Sequence, residues 1–357
     1  MRKHILIPIF CFAKVTAQEP YDLNPYGKGI IDKAAAEQIA NEWHFPIKLT
    51  LVVRDEDGKP VADAAANVGI DSRLHMDGYN NYKGKTDASG KFTVEARGAG
   101  SSDIWITKDG FYPSHPEVKW DVQLNGDIEN LKKFGFRPWN QTVDVMLKKI
   151  GKPIPMIVRI MDGGGKSYGI APYHGRDIDW DLIEADWVAP LGKGKKSDLV
   201  LNFDGHYENT GKYASFAKMT LKLSNTNDGF IPILSITGKE SQLKLPREAP
   251  DGGYNMKELE VLLQQTETTR PKRIPDPEPY GYFIRFRTEV DPDGNVISAN
   301  YGKITTPIRL TPPGVDRKSI SFSFSSYINP TPNDRNLEYD RHNNLAPEAN
   351  KGVTLDP

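Results

Sequence analysis

From Ile47 onward the chain alternates apolar and polar residues with a period of two. Ile47, Leu49, Leu51 and Val53 alternate with Lys48, Thr50, Val52 and Arg54, the pattern of a strand with one buried face. The alternation returns at Phe92, Val94 and Ala96, at Leu199, Leu201 and Phe203, at Tyr282, Ile284 and Phe286, and at Ile320, Phe322 and Phe324. Between such runs stand turns that set a glycine beside Asp or Ser: Asp57-Gly58, Ser89-Gly90, Asp109-Gly110 and Asp293-Gly294. Glycine supplies φ > 0 there, and Asp can bond its own backbone two residues on. The 31 Gly and 27 Pro among 357 residues suit a turn-rich fold and exclude a long helical bundle. Short strands at this spacing predict a mainly β chain built from antiparallel sandwiches.

Further strands are expected over 62–70, 103–107, 118–124, 142–149, 155–161, 217–223, 230–236 and 296–304. Two helices interrupt the pattern. One runs over 32–44, where Ala35, Ile39 and Trp43 recur on one face. The other opens on Asn255-Met256-Lys257-Glu258, read as a capping box, with Met256, Leu259, Leu262 and Leu263 as its apolar stripe. Arg73–Tyr82 reads as an extended loop, and Arg270–Pro279 as an extended Pro-rich connector.

Residues 1–17 read as a signal peptide: Arg2 and Lys3, an apolar run from Ile5 to Ala13, then Val15-Thr16-Ala17. The run falls far short of the roughly 20 residues that span a bilayer. The expectation is export to the periplasm, cell surface or exterior, with no transmembrane span in the mature chain. Cys11, the single cysteine, lies in this segment. The mature chain would then contain no disulfide, zinc–thiolate site or cysteine nucleophile. Removing Arg2, Lys3 and Lys14 leaves 43 Lys and Arg against 47 Asp and Glu, a charge of −4, so nucleic acid is not an expected partner. Export without disulfides points to a bacterial source.

The segments IKLTLVVRDEDGKPVADA, GKTDASGKFTV, IWITKDGFYP and VDVMLKK, all within residues 47–149, resemble a carboxypeptidase regulatory-like domain. The resemblance implies a small transthyretin-like, or prealbumin-like, β-sandwich that occurs as a non-catalytic module, and it carries no catalytic residue. The segments DWVAPLGKGKKSDLVLNF and NPTPNDRNLEYD resemble exported bacterial β-rich proteins, with no activity implied. The expected organisation is a signal peptide over 1–17, an extension with a short helix over 18–45, the regulatory-like sandwich over 46–150, a larger β-sandwich or jelly-roll domain with one inserted helix over 151–340, and a tail over 341–357.

Chemistry-bearing patterns are few. Gly163-Gly164-Gly165-Lys166-Ser167 lacks the earlier glycine of a phosphate loop, since position 160 is Ile. No G-x-S-x-G elbow occurs. Two rows of acids stand out. Asp177, Asp179 and Asp181 share one strand face, as do Asp204, His206 and Glu208. Together they could hold Ca²⁺ through oxygen, or form a solvated face with no cofactor. Trp180 and Trp187, with Tyr173 and His174 nearby, are candidate binding residues for a sugar ring. The expected role is an exported, non-catalytic binding or scaffolding protein that recognises a polysaccharide or an envelope protein. The alternative is a secreted hydrolase acting on glycans or peptides through Asp/Glu or metal chemistry. An enzyme should gather its acids in one concave pocket; a binder should present a flat aromatic-bearing face or a free sheet edge.

Overall fold

The computed structural model describes residues 44–71, 78–118, 120, 128–160, 169–172, 176–209, 213–266, 269–311 and 319–346. The signal segment, the 32–44 helix before His44, the glycine loop at 163–167, Tyr173 and His174 lie outside them. The chain divides into two compact units, Met1–Ile150 with Glu240–Gln242, and Gly151–Lys239 with Leu243–Pro357. No helix among the described residues is long and apolar enough to cross a membrane.

The first unit holds strands β1 (Phe45–Asp55), β2 (Ala65–Asp71), β3 (Tyr79–Lys85), β4 (Lys91–Gly98), β5 (Ser102–Thr107) and β6 (Gln141–Leu147), with helix α1 (Ile128–Phe134) before β6. They form two three-stranded sheets, ordered β4-β1-β6 and β3-β2-β5. All pairings are antiparallel except β1 with β6. The alternating residues do what their period requires. Ile47, Leu49, Leu51 and Val53 from one sheet meet Val68, Ile70, Ile104 and Ile106 from the other in a common core. The turn acids close their turns: Asp55 Oδ1 accepts from the amides of Asp57 and Lys59, and Asp87 Oδ1 from those of Ser89 and Lys91. Gly90 adopts φ of 75° where an added Cβ would stand 2.4 Å from the Val53 carbonyl oxygen, so no side chain fits.

Two expectations here are corrected. Residues 79–82, expected as loop, belong to β3, which pairs with β2 along its whole length. Of the strand expected over 118–124, the described residues Val118 and Trp120 are not strand. Both pack on the core as side chains instead.

The second unit contains β7 (Ile154–Ile160), β8 (Gly169–Pro172), β9 (Ile178–Asp181), β10 (Asp186–Trp187), β11 (Leu199–Asn209), β12 (Tyr213–Leu223), β13 (Gly229–Ile233), β14 (Glu258–Thr266), β15 (Thr269–Ile274), β16 (Gly281–Val290), β17 (Val296–Thr311), β18 (Ser319–Asn329) and β19 (Tyr339–Asn344). A six-stranded sheet runs β10-β9-β11-β12-β14-β15, and a seven-stranded sheet runs β13-β16-β17-β18-β7-β19 with β8 also on β18. Phe203, Met219 and Leu221 of the first face Phe286, Ile304 and Phe322 of the second across one core. The far side of the seven-stranded sheet is buried as well, where Met156, Val158, Tyr301 and Tyr327 pack with Leu245, Tyr254 and Leu337. Burial on both faces explains the unbroken apolar run Tyr282-Phe283-Ile284.

The inserted helix is a correction. Residues 258–266 are strand β14, paired with β12 from Glu258↔Lys222 to Thr266↔Ala214. Leu259 and Val261 are buried while Glu258 and Glu260 are exposed, a period of two that outweighs the local capping chemistry. Cross-strand pairs fix the register: Glu260 meets Lys218 at 2.7 Å and Glu258 meets Lys222 at 3.3 Å. Strand β19 also runs to Asn344, four residues into the expected tail.

Candidate functional site

The acidic rows occupy the outer face of the six-stranded sheet. Asp179 sits opposite Val200 on β11, so Asp177 and Asp179 share a face with Asn202, Asp204, His206 and Glu208. The rows lie end to end, since β9 pairs only with Leu199–Leu201. Asn202 Nδ2 donates to Asp177 at 2.8 Å, and Ser197 Oγ donates to Asp179 at 2.8 Å. Asp204 stands opposite Lys218 and Glu208 opposite Ala214, while His206 stacks on Phe216 at 5.4 Å. Among the described residues, no three His, Cys, Asp or Glu side chains are grouped so as to hold a metal ion.

Asp181 departs from its row. It is 1% exposed because its carboxylate closes two loops. Oδ1 accepts from the amides of Ile183 and Glu184, and Oδ2 from those of Lys195 and Lys196. Arg287 Nη2 adds a fifth donor at 2.8 Å. Burial pushes this carboxyl up, but the four amides outweigh it, so its pKa lies below the usual range. All its acceptor capacity goes to the protein, which makes Asp181 a brace.

Arg287 also grips Asp198 through two bonds, Nε to Oδ1 at 2.8 Å and Nη2 to Oδ2 at 2.9 Å. Asp228 accepts the amides of Arg287 and Thr288. Arg287 has φ of 54° at the point where the β16–β17 register shifts. Burial raises the carboxyl pKa of both Asp198 and Asp228. This buried network has no sequence signal: 106 positions separate Arg287 from Asp181.

The aromatic platform expected on the second unit is a correction. Trp180 is 2% exposed, packed edge-on against Trp187 at 4.9 Å. Trp187 in turn meets Phe322 at 6.1 Å and is half-buried. Both indoles serve the core, where burying them is most favourable. Tyr173 and His174 fall outside the described residues. A cleft of about 130 Å³ lies elsewhere in this unit, lined by Val261, Leu263, Arg273, Asp276, Glu278 and Ile308, and holds none of the predicted site residues.

The first unit carries a flat aromatic-bearing face that none of the sequence motifs marks. In β5, Ile104 and Ile106 point into the core, so Asp103, Trp105 and Thr107 point outward. Register places Trp105 opposite Asn67, and Asn67 opposite Lys83. The next row is Asp103, Gly69 and Asn81. Trp105 is 42% exposed. The His115 ring lies parallel to its indole, 4.4 Å away and tilted by 10°. His115 Nε2 is in turn 2.5 Å from Asp103 Oδ1. Asp103 thus orients His115, and His115 holds the indole, so little rotamer entropy remains for Trp105 to lose on binding. Gly69 keeps the centre of the face free of side-chain bulk; a Cβ there would stand 3.2 Å from the Asp103 carbonyl oxygen. The Asn67 Oδ1 is buried without a hydrogen-bond partner. Edge strand β3 supplies Tyr79, Asn81, Lys83 and Lys85 to the same face. The usable signal is the alternation in DIWIT, which sets a tryptophan on the polar side of a strand.

No protein-family model matches the chain, and no curated protein matches it. Among solved structures, 3-chlorocatechol 1,2-dioxygenase from Rhodococcus opacus 1CP is 14% identical over 31% of this chain and 62% of its own, with a TM-score of 0.24. A streptococcal ancillary pilin is 11% identical over 78% of this chain and 58% of its own, with a TM-score of 0.19. BcpA, the major pilin subunit of Bacillus cereus, is 14% identical over 77% and 95%, with a TM-score of 0.20. The chain spans less than two thirds of the dioxygenase and of the streptococcal pilin. At these scores no role passes from them to this chain.

Proposed function

We propose that the protein is an exported, non-catalytic binding protein of the bacterial envelope or exterior, and that it recognises a polysaccharide through the outer face of β3-β2-β5. The observation that carries this reading is Trp105, held by His115 on edge strand β5 of a face of amides and charges. An indole offers an apolar plane to the C–H face of a sugar ring. On the same face the exposed Asn81 amide and the second carboxylate oxygen of Asp103 offer a donor and acceptors to ring hydroxyls. We further read this unit as a carboxypeptidase regulatory-like module, because its motif segments fall on β1, on the β3–β4 turn and on β5. The hydrolase alternative draws less support, since the acids it would use are spread over a solvated face. The test is a glycan array with the full chain, followed by titration of each hit with Trp105→Ala. Binding that Trp105→Ala abolishes supports the reading; binding that it leaves intact refutes this face.

A further inference from the structure

Resting on that glycan reading, the geometry points to an acidic polysaccharide, one bearing carboxylate or sulfate groups, as the ligand class of the Trp105 face. Two exposed cations on one edge of the face complement such a ligand. Lys83 and Lys85 lie on the exposed parity of β3 and are themselves exposed. Lys83 completes the row that runs through Asn67 to Trp105, two strand spacings or about 10 Å from it. Lys85 follows on the same face, opposite Ala65, which is opposite Thr107. Asp103, on edge strand β5 beside Trp105, is engaged by His115. Asn67, Gly69 and Asn81 are uncharged, and the second acid of the face, Asp71, lies at the far end of β2 opposite Tyr79, away from the lysines. A sugar stacked on Trp105 would therefore direct an acid group on a neighbouring ring toward two cations. Lysine suits such a ligand, because its ammonium is a mobile point charge on a long stem, able to follow a flexible chain. Lysines on an edge strand also discourage strand pairing between copies, and the experiment separates the two roles.

The full-length protein is titrated with a panel of acidic polysaccharides, each beside its carboxyl-reduced or desulfated counterpart, at low and high salt. Wild type should bind at least one acidic polymer about tenfold tighter than its neutral counterpart at low salt, a preference that salt erodes. The double variant Lys83→Gln, Lys85→Gln should lose that preference and keep its affinity for the neutral polymer, while Trp105→Ala should lose both. Equal affinity of wild type for the two forms overturns the acidic class and leaves the glycan reading standing. If the double variant keeps the preference and only self-associates more, the lysines are edge guards and the assignment of acid recognition to this face is overturned. Absence of binding to every polymer overturns both.

Discussion

At the residue scale, Arg287 and Asp181 carry the most consequence. Arg287 is the only cation paired with Asp181 and Asp198 among the described residues, and both carboxylates are almost fully buried. Arg287→Ala should destabilise the second unit by about 3–5 kcal/mol, the usual cost of leaving a buried charge without its partner, read from chemical denaturation. The pH dependence has two parts. Asp181 has a folded pKa below its ordinary value of 3.8, so it contributes stability above about pH 4 that is lost as pH falls through its depressed value. Asp198 and Asp228 have raised values; their ionised forms cost stability at neutral pH, and acidification relieves that cost first. Melting Asp181→Asn and wild type from neutral pH to pH 3 should show a gap that narrows below about pH 4. A constant gap would contradict the assignment. The sequence carries no sign of this network. The acids are visible as a row, but the arginine that turns one of them inward comes from a distant strand. Trp180 is more legible: the alternation that groups Asp177, Asp179 and Asp181 puts Ile178, Trp180 and Leu182 on the opposite, buried side.

At the scale of elements, strands with one solvated face are the legible ones, and β1, β4, β11 and the β16–β17 hairpin fall where the alternation puts them. Strand β14 is not, because ELEVLL satisfies both periods and the capping-box residues tip the choice to helix. The two conformations differ in which side chains are buried. Leu259→Ala and Val261→Ala should each cost about 1–4 kcal/mol by opening the core between the sheets, and Leu262→Asn, on the outer parity, less than about 1. A helix would instead make Leu259, Leu262 and Leu263 equally sensitive. The outer face of this sheet also bears on the expected metal site. Its row acids are spread along the strands, with Asn202 donating to Asp177, Ser197 to Asp179 and Lys218 opposite Asp204, and exposed charges so spaced are screened by water and salt without a counter-ion. Melts with millimolar Ca²⁺ and with EDTA should coincide; a large drop in EDTA would restore Asp177, Asp179, Asp204, His206 and Glu208 as ligands.

At the scale of the whole molecule, the chain is two β units. One is a small sandwich with a preorganised aromatic face; the other is a larger sandwich in which Trp180 and Trp187 serve packing and Asp181 serves bracing. The mainly β class follows from the alternation and the turn chemistry alone. The site does not, because a tryptophan at outward parity looks like any other until register shows its neighbours. Only the pairing of β2 with β3 and β5 brings Lys83, Asn67 and Trp105 into one row. The central claim is that this row and its His115 support form a binding face. It is tested most directly by measuring the affinity of wild type and Trp105→Ala for the glycans that wild type retains on an array. The account predicts that the variant folds and melts like wild type, since Trp105 is exposed, yet loses binding by about 2 kcal/mol or more, as an aromatic hot spot does. Equal affinity of the two proteins for the same glycan would contradict it.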